Sequence, residues 1–134
     1  MNIPKDTIVA VADGEILNLY QNTGDEAAPS LSKLPEAEIS SENKGSGGRH
    51  HSSSANPSDS QQDEDGFAAG IAAVLNKRVL DGDIEALVII AAPRTLGELR
   101  KNYHKALSAV LVGEIAKDLT GHSAKDIAAS VASA

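Results

Sequence analysis

The sequence predicts an α/β fold: a single domain with one mixed β-sheet flanked by helices, in the order β-β-β-loop-α-β-α-β-α. Three observations carry this expectation. Short apolar runs separated by turn residues fill the first third of the chain, as expected for antiparallel strands. Residues Ile84 to Ala92, "IEALVIIAA", form a near-continuous apolar run rich in Val and Ile, which suits a central strand covered on both faces. From Phe67 onward helical periodicity alternates with strand-like runs, the arrangement of parallel crossover units.

Taken in order, Thr7 to Ala12 and Glu15 to Tyr20 read as a hairpin joined by Asp13-Gly14. Asp-Gly between two such runs is the chemistry of a type I′ turn, with positive φ at both central residues. Leu31 to Ser40 is a weaker third strand broken by Pro35, which suits an edge or a strand end. Residues 41–65 are Ser, Gly, His, Asn, Gln and acid without apolar periodicity. Loops of that length inside compact domains are functional or disordered, so a flexible polar loop is expected there.

Phe67, Ile71, Val74, Leu75 and Val79 then follow the spacing of one helical face. Acidic residues Asp63, Glu64 and Asp65 precede or open that helix and Gly82 is placed to cap its end. After the central strand, Pro93 acts as a stop, and Thr95 with Glu98 forms a capping-box pattern. A helix is therefore expected from Leu96 to about Lys105. "LSAVLVGEIA", within Leu107 to Asp118, reads as another strand, with a helix over Ala106 to Lys117 as the competing reading. Ser123 and Asp126 repeat the capping pattern before an alanine-rich last helix.

The 134 residues suit one core, and with aromatics at 2% that core has to be built from Val, Ile, Leu and Ala. A net charge of −7 argues against broad nucleic-acid affinity, because phosphate binders carry basic surfaces. The chain has no cysteine, so it has neither disulfides nor thiolate chemistry. No stretch approaches the length of a membrane helix, and the amino-terminal residues lack a secretory pattern. The expected location is the cytoplasm, with no membrane partner.

Two groups of residues invite a binding role. Arg94 follows the central strand directly, where open α/β sheets bind ligands. With the amides near Leu96 and Gly97 it could hold an anion at a helix start, or it could be a solvated side chain beside a structural cap. Lys77, Arg78, Arg100, Lys101, His104 and Lys105 make the concentrated basic surface. Arg100, Lys101, His104 and Lys105 are its candidate docking patch for RNA or an acidic partner, against the plainer reading of a wet helix face. His50-His51 with remote His104 and His122 is not the spacing of a metal site, and no metal or other cofactor is expected.

The segment "LNKRVLDGDIEALVIIAAPRTLGELRKNYHKAL" followed by "EIAKDLTGHSAKDI", with Val11-Ala12-Asp13-Gly14 near the start, resembles the bacterial host-attachment protein family. Its members are described as proteins required for attachment to host cells. That family is in turn similar to the middle domain of archaeal and eukaryotic class I peptide-chain release factors and of Pelota. The resemblance implies the same mixed sheet, related to ribonuclease H-like folds. In release factors a Gly-Gly-Gln tip lies between the third strand and the first helix. Here the interval holds Gly47-Gly48 followed by Arg49.

Two glycines let a backbone enter a tight ribosomal centre, but a guanidinium donates hydrogen bonds and cannot accept them as a glutamine amide does. Gly47, Gly48 and Arg49 are thus a candidate loop tip without the release-factor chemistry. Asp13 occupies the place of a metal-binding carboxylate in ribonuclease H-like nucleases, or it is simply a turn residue. No catalytic residues are assigned. The expectation is a non-catalytic cytoplasmic binding or regulatory protein of the host-attachment family, with an indirect role in attachment and an unknown protein partner. The alternative is a translation-associated factor contacting ribosome or tRNA through the Gly-Gly loop, and the third reading is an ester or phosphate hydrolase.

Overall fold

The computed structural model describes residues 1–37, 39 and 59–134. Five strands, β1 (Ile8–Ala12), β2 (Leu17–Asn22), β3 (Leu31–Lys33), β4 (Leu87–Ala91) and β5 (Leu111–Ala116), form one sheet in the order β3-β2-β1-β4-β5. The β1–β2 and β2–β3 pairs are antiparallel, and β1–β4 and β4–β5 are parallel. Among the described residues four helices accompany the sheet: α1 (Asp59–Leu80), α2 (Pro93–Arg100), α3 (Lys105–Val110) and α4 (Ala124–Ser133). The expected mixed sheet flanked by helices is therefore present.

Alternation along the strands divides the interior into two cores. Ile8, Ala10 and Ala12 of β1 and Leu87, Ile89 and Ala91 of β4 meet Ile71, Ala72 and Leu75 of α1, Leu96 and Leu99 of α2, and Leu107 of α3. Val9, Val11, Val88 and Ile90 point the other way, onto Ile127 and Val131 of α4 and onto Ile3 and Leu119. Every residue of β1 and β4 is buried, which explains why Ile84 to Ala92 reads as a continuous apolar run rather than an alternating one.

Several local details differ from the sequence expectation. Neither Asp13 nor Gly14 has positive φ, so the β1–β2 connection is not a type I′ turn. The strands part at the Ala12–Leu17 pair and the loop is closed by the Asp13 side chain. Asp13 Oδ1 accepts from the amides of Glu15 and Ile16, both at 2.7 Å. The short acidic side chain substitutes for backbone turn geometry. The third strand stops at Lys33, before Pro35.

α1 begins at Asp59, so residues 59–65 of the expected 41–65 loop are helical and 41–58 lie outside the described residues; the 22 residues of α1 span about 33 Å. It ends as expected at Gly82, whose φ is 85°. The Gly82 amide donates to Val79 O at 3.1 Å and the Asp83 amide to Arg78 O at 2.9 Å, the two bonds of a Schellman cap.

The expected capping box at Thr95 and Glu98 does not form. α2 starts two residues before Thr95, with Pro93 as its first residue and Ala92 as a cap without a side-chain hydrogen bond. Proline is pre-set for that position, having no amide to leave unsatisfied. The helix also ends at Arg100 rather than near Lys105, and α3 is a separate element. Both readings of "LSAVLVGEIA" hold in part, because the segment changes from helix to strand between Val110 and Leu111. Ser123 does cap α4, its Oγ accepting from the Asp126 amide at 3.2 Å.

Buried Asn22 ties the amino-terminal residues to the sheet. Its Nδ2 donates to Ile3 O and Pro4 O at 3.2 and 3.1 Å, and its Oδ1 accepts from the Gly24 and Ser30 amides, both at 3.0 Å. All four hydrogen-bonding positions of the amide are used.

Two substitutions test this account by urea denaturation. Ile89→Ala should cost about 2–5 kcal/mol, because it opens a cavity on the most enclosed strand. Gly82→Ala should cost about 1 kcal/mol through the left-handed backbone alone, since a Cβ there meets no atom within 4 Å.

Candidate functional site

The candidate residues fall in three places in the fold. The first is the connection between β3 and α1, which contains Gly47, Gly48 and Arg49. These residues lie outside the described residues.

The second is the carboxyl edge of the parallel strands. Asp13 follows β1, Arg94 follows β4 in the first turn of α2, and Lys117 to Thr120 follow β5. Parallel pairing with matched register brings these ends together, with Ala12 opposite Ala91 and Ala91 opposite Ala116. The Thr120 hydroxyl lies 2.7 Å from Asp118 Oδ1 and 3.1 Å from Asp13 Oδ2. Its one proton serves the two carboxylates alternately and ties the β1–β2 loop to the β5–α4 connection. The Thr120 hydroxyl and then its amide, donating to Asp118, hold that carboxyl below the usual range. Asp13 acts here as a turn and tie residue. Among the described residues no three His, Asp or Glu side chains are grouped to hold a metal ion.

The expected anion site at this edge loses its amide half. The Leu96 amide donates to Ala92 O at 2.9 Å, and Gly97 is the fifth residue of α2, so both sit within the helix rather than at its open end. Arg94 is exposed but is not joined there by the two residues proposed to act with it.

The third place is the basic surface, three of whose cations are paired with carboxylates. Arg100 Nη2 and Nε donate to Glu114 Oε1 at 2.8 and 3.0 Å. Lys101 Nζ meets Glu98 at 2.9 Å, and Lys77 Nζ meets Asp81 at 2.7 Å. His104 is the N-cap of α3, its Nδ1 accepting from the Ala106 amide at 2.9 Å. The His104 amide donates to Asn76 Oδ1 at 2.9 Å, and Asn76 Nδ2 donates to Asn102 O, also at 2.9 Å. Lys105 opens α3 and is exposed. Arg100 ends α2 while His104 and Lys105 begin α3, so the four do not share one helix face as the spacing implied; two of them carry partnered charge and the histidine is a cap.

Glu114 is the centre of this network and was not singled out from the sequence. Its Oε2 accepts from the Tyr103 hydroxyl at 2.8 Å. Burial works to raise the Glu114 carboxyl, but the hydrogen bonds from Arg100 and Tyr103 and the nearby guanidinium charge leave it below the ordinary range. Burial, the bond to Glu114 and the carboxylate's charge push the Tyr103 phenol far up, so it remains a donor. A sequence signal existed in the single Glu inside an otherwise apolar strand, "LVGEIA", because a half-buried carboxylate demands partners.

With the fold and its edge described, the family is clear. The chain belongs to bacterial archaeo-eukaryotic release factor family 12, whose model matches residues 6–131. That span covers the whole sheet and most of α4. No curated protein matches the chain.

Two outcomes follow from the network. His104→Ala should destabilise the protein by about 1 kcal/mol and His104→Asn by less, as measured by thermal or urea unfolding. For Glu114 the folded carboxyl is depressed, so its contribution is present above the unfolded-state value and lost as pH falls toward the folded one. Acid titration of stability should therefore show a smaller loss below about pH 4.3 in Glu114→Gln than in the parent.

Proposed function

We propose that this protein is a non-catalytic, release-factor-like binding protein of the cytoplasm that meets ribosome or tRNA through the connection containing Gly47, Gly48 and Arg49. The observation that carries the reading is the release-factor family match, which runs across that connection. The Gly-Gly pair lies in the interval between the third strand and first helix where release factors carry their tip. Arg49 stands where those factors have glutamine, and a donor-only side chain cannot position water by accepting a hydrogen bond from it. Binding without peptidyl-tRNA hydrolysis follows from that difference.

The charge distribution supports a local contact. With Lys77, Arg100 and Lys101 each paired to a carboxylate, the helix face offers little positive charge for gripping a phosphate backbone. The resemblance to host-attachment proteins fits an effect on attachment exerted from inside the cell and at one remove. Detection of the protein on the outer surface of intact cells would overturn that part.

The test is co-sedimentation of purified protein with ribosomes at low and moderate salt, beside a Gly47→Ala/Gly48→Ala variant. The parent should pellet with ribosomes at low salt and the variant about tenfold less, while neither hydrolyses peptidyl-tRNA. Equal pelleting of both, or of neither, removes the loop from the mechanism. Hydrolysis by the parent removes the non-catalytic reading.

A further inference from the structure

At the amino edge of the sheet, opposite to Asp13, Arg94 and Thr120, lies a hollow of about 370 Å3. We propose that it binds a small zwitterion, an amino acid with an aliphatic side chain. The inference is independent of the ribosome reading and uses none of the same residues.

The hollow is built by backbone already fixed for other reasons. Ile8 and Ile84 are buried beneath it, and Leu34 is half-buried beside them. The turn from Gly82 to Glu85 forms one wall, held by the Asp83 and Ile84 amides donating to Arg78 O at 2.9 and 3.2 Å. Asp6 forms the facing wall in a left-handed conformation, with φ 73°. Its amide donates to Asn22 O at 2.8 Å and its Oδ1 accepts from Gln21 Nε2 at 3.0 Å. A site of this volume falls in the range of small-molecule pockets.

Arg78 sets the chemistry. Its neighbour Lys77 is paired with Asp81. Arg78 is half-buried as a residue, and among the described residues its side chain has no hydrogen-bond or ion-pair partner. Asp6, Asp83 and Glu85 line the same hollow, yet none of them lies within ion-pair reach of it. Arg78 and three acidic residues thus line a shared space without an ion pair among them.

A carboxylate on the ligand gives Arg78 its planar partner, and an ammonium group answers the acidic walls. A phosphate would meet three like charges, and a purely cationic ligand would meet Arg78. Half-buried Leu34, with the edges of Ile8 and Ile84, is the apolar part of the lining that an aliphatic side chain would cover.

The test is amide NMR of the isotope-labelled full chain titrated with L-leucine. Leucinamide, 4-methylpentanoate and inorganic phosphate serve as the probes lacking one charge or the apolar body. Leucine should give saturable shifts centred on Asp6 and Gly82 to Glu85, and the other three should bind about tenfold more weakly or not at all. Arg78→Met keeps the aliphatic stem and should weaken leucine about tenfold, with the spectrum elsewhere unchanged. If Arg78→Met does not fold, Asp83→Asn/Glu85→Gln carries the test, and undiminished leucine affinity in that variant overturns the proposal. So does the absence of saturable shifts, binding of either half-charged analogue as tight as leucine, or tighter binding of phosphate.

Discussion

The constraint on which the rest depends is the burial of β4 on both faces while β1 and β5 pair with its two edges in parallel. A strand in that position has no polar face, so its sequence cannot alternate, and helices have to cover the sheet on both sides. α1, α2 and α3 supply one cover and α4 the other. With almost no aromatic residues available, the covers are aliphatic and close-packed. Exposed polar chemistry is thereby confined to the ends of the strands and the outer helix faces. The candidate sites occur at those ends because the middle of the sheet has no room for them.

The charged residues nearest the sheet are largely committed to holding elements in place. Glu114 draws Arg100 and Tyr103 onto β5, so the end of α2 and the turn into α3 are fastened to the edge strand. Asn76 and His104 fasten the same turn to α1. A short helix such as α3 gains little from its own hydrogen bonds. Its place is fixed by Leu107 in the core and by these polar contacts at its start. The apparent basic stripe is the outer side of this fastening, which is why charge alone gave a misleading impression of a docking face.

The strands and the longer helices were legible because their signals are periodic or compositional. The apolar run of β4, the helical spacing from Phe67, the Gly82 stop and the Ser123 cap each correspond to a feature of the structure. What was not legible depended on choices between competing local signals. Pro93 and Thr95 both offer helix starts, and proline at the first position won. Asp13-Gly14 has the composition of one turn and adopts another, because the aspartate side chain closes the loop itself. The division of residues 105–116 into helix and strand has no break in composition, and it is decided by where Leu107 and Leu111 can reach the core. Among the site residues, Arg100, Lys101, His104 and Lys105 were grouped by the spacing of one helix, which the break between α2 and α3 removes. The neutralising Glu114 could not be read from spacing, since it arrives from a different strand. Glu114 shows that a residue's charge and a surface's charge are separate quantities.

The irregular pairing of β4 with β5 has one more consequence. Leu87 opposes Leu111 but Val88 opposes Gly113, leaving Val112 as the extra residue of a bulge. β5 is the outer strand on that side, and Val112 is 41% exposed. A straight outer strand of this composition would be a template for aggregation, since its unpaired amides and carbonyls could recruit another chain. The bulge increases local twist and disrupts the regular hydrogen-bonding repeat that such recruitment needs. The same irregularity that accommodates the passage from α3 into β5 therefore also makes this edge a poorer template for another chain.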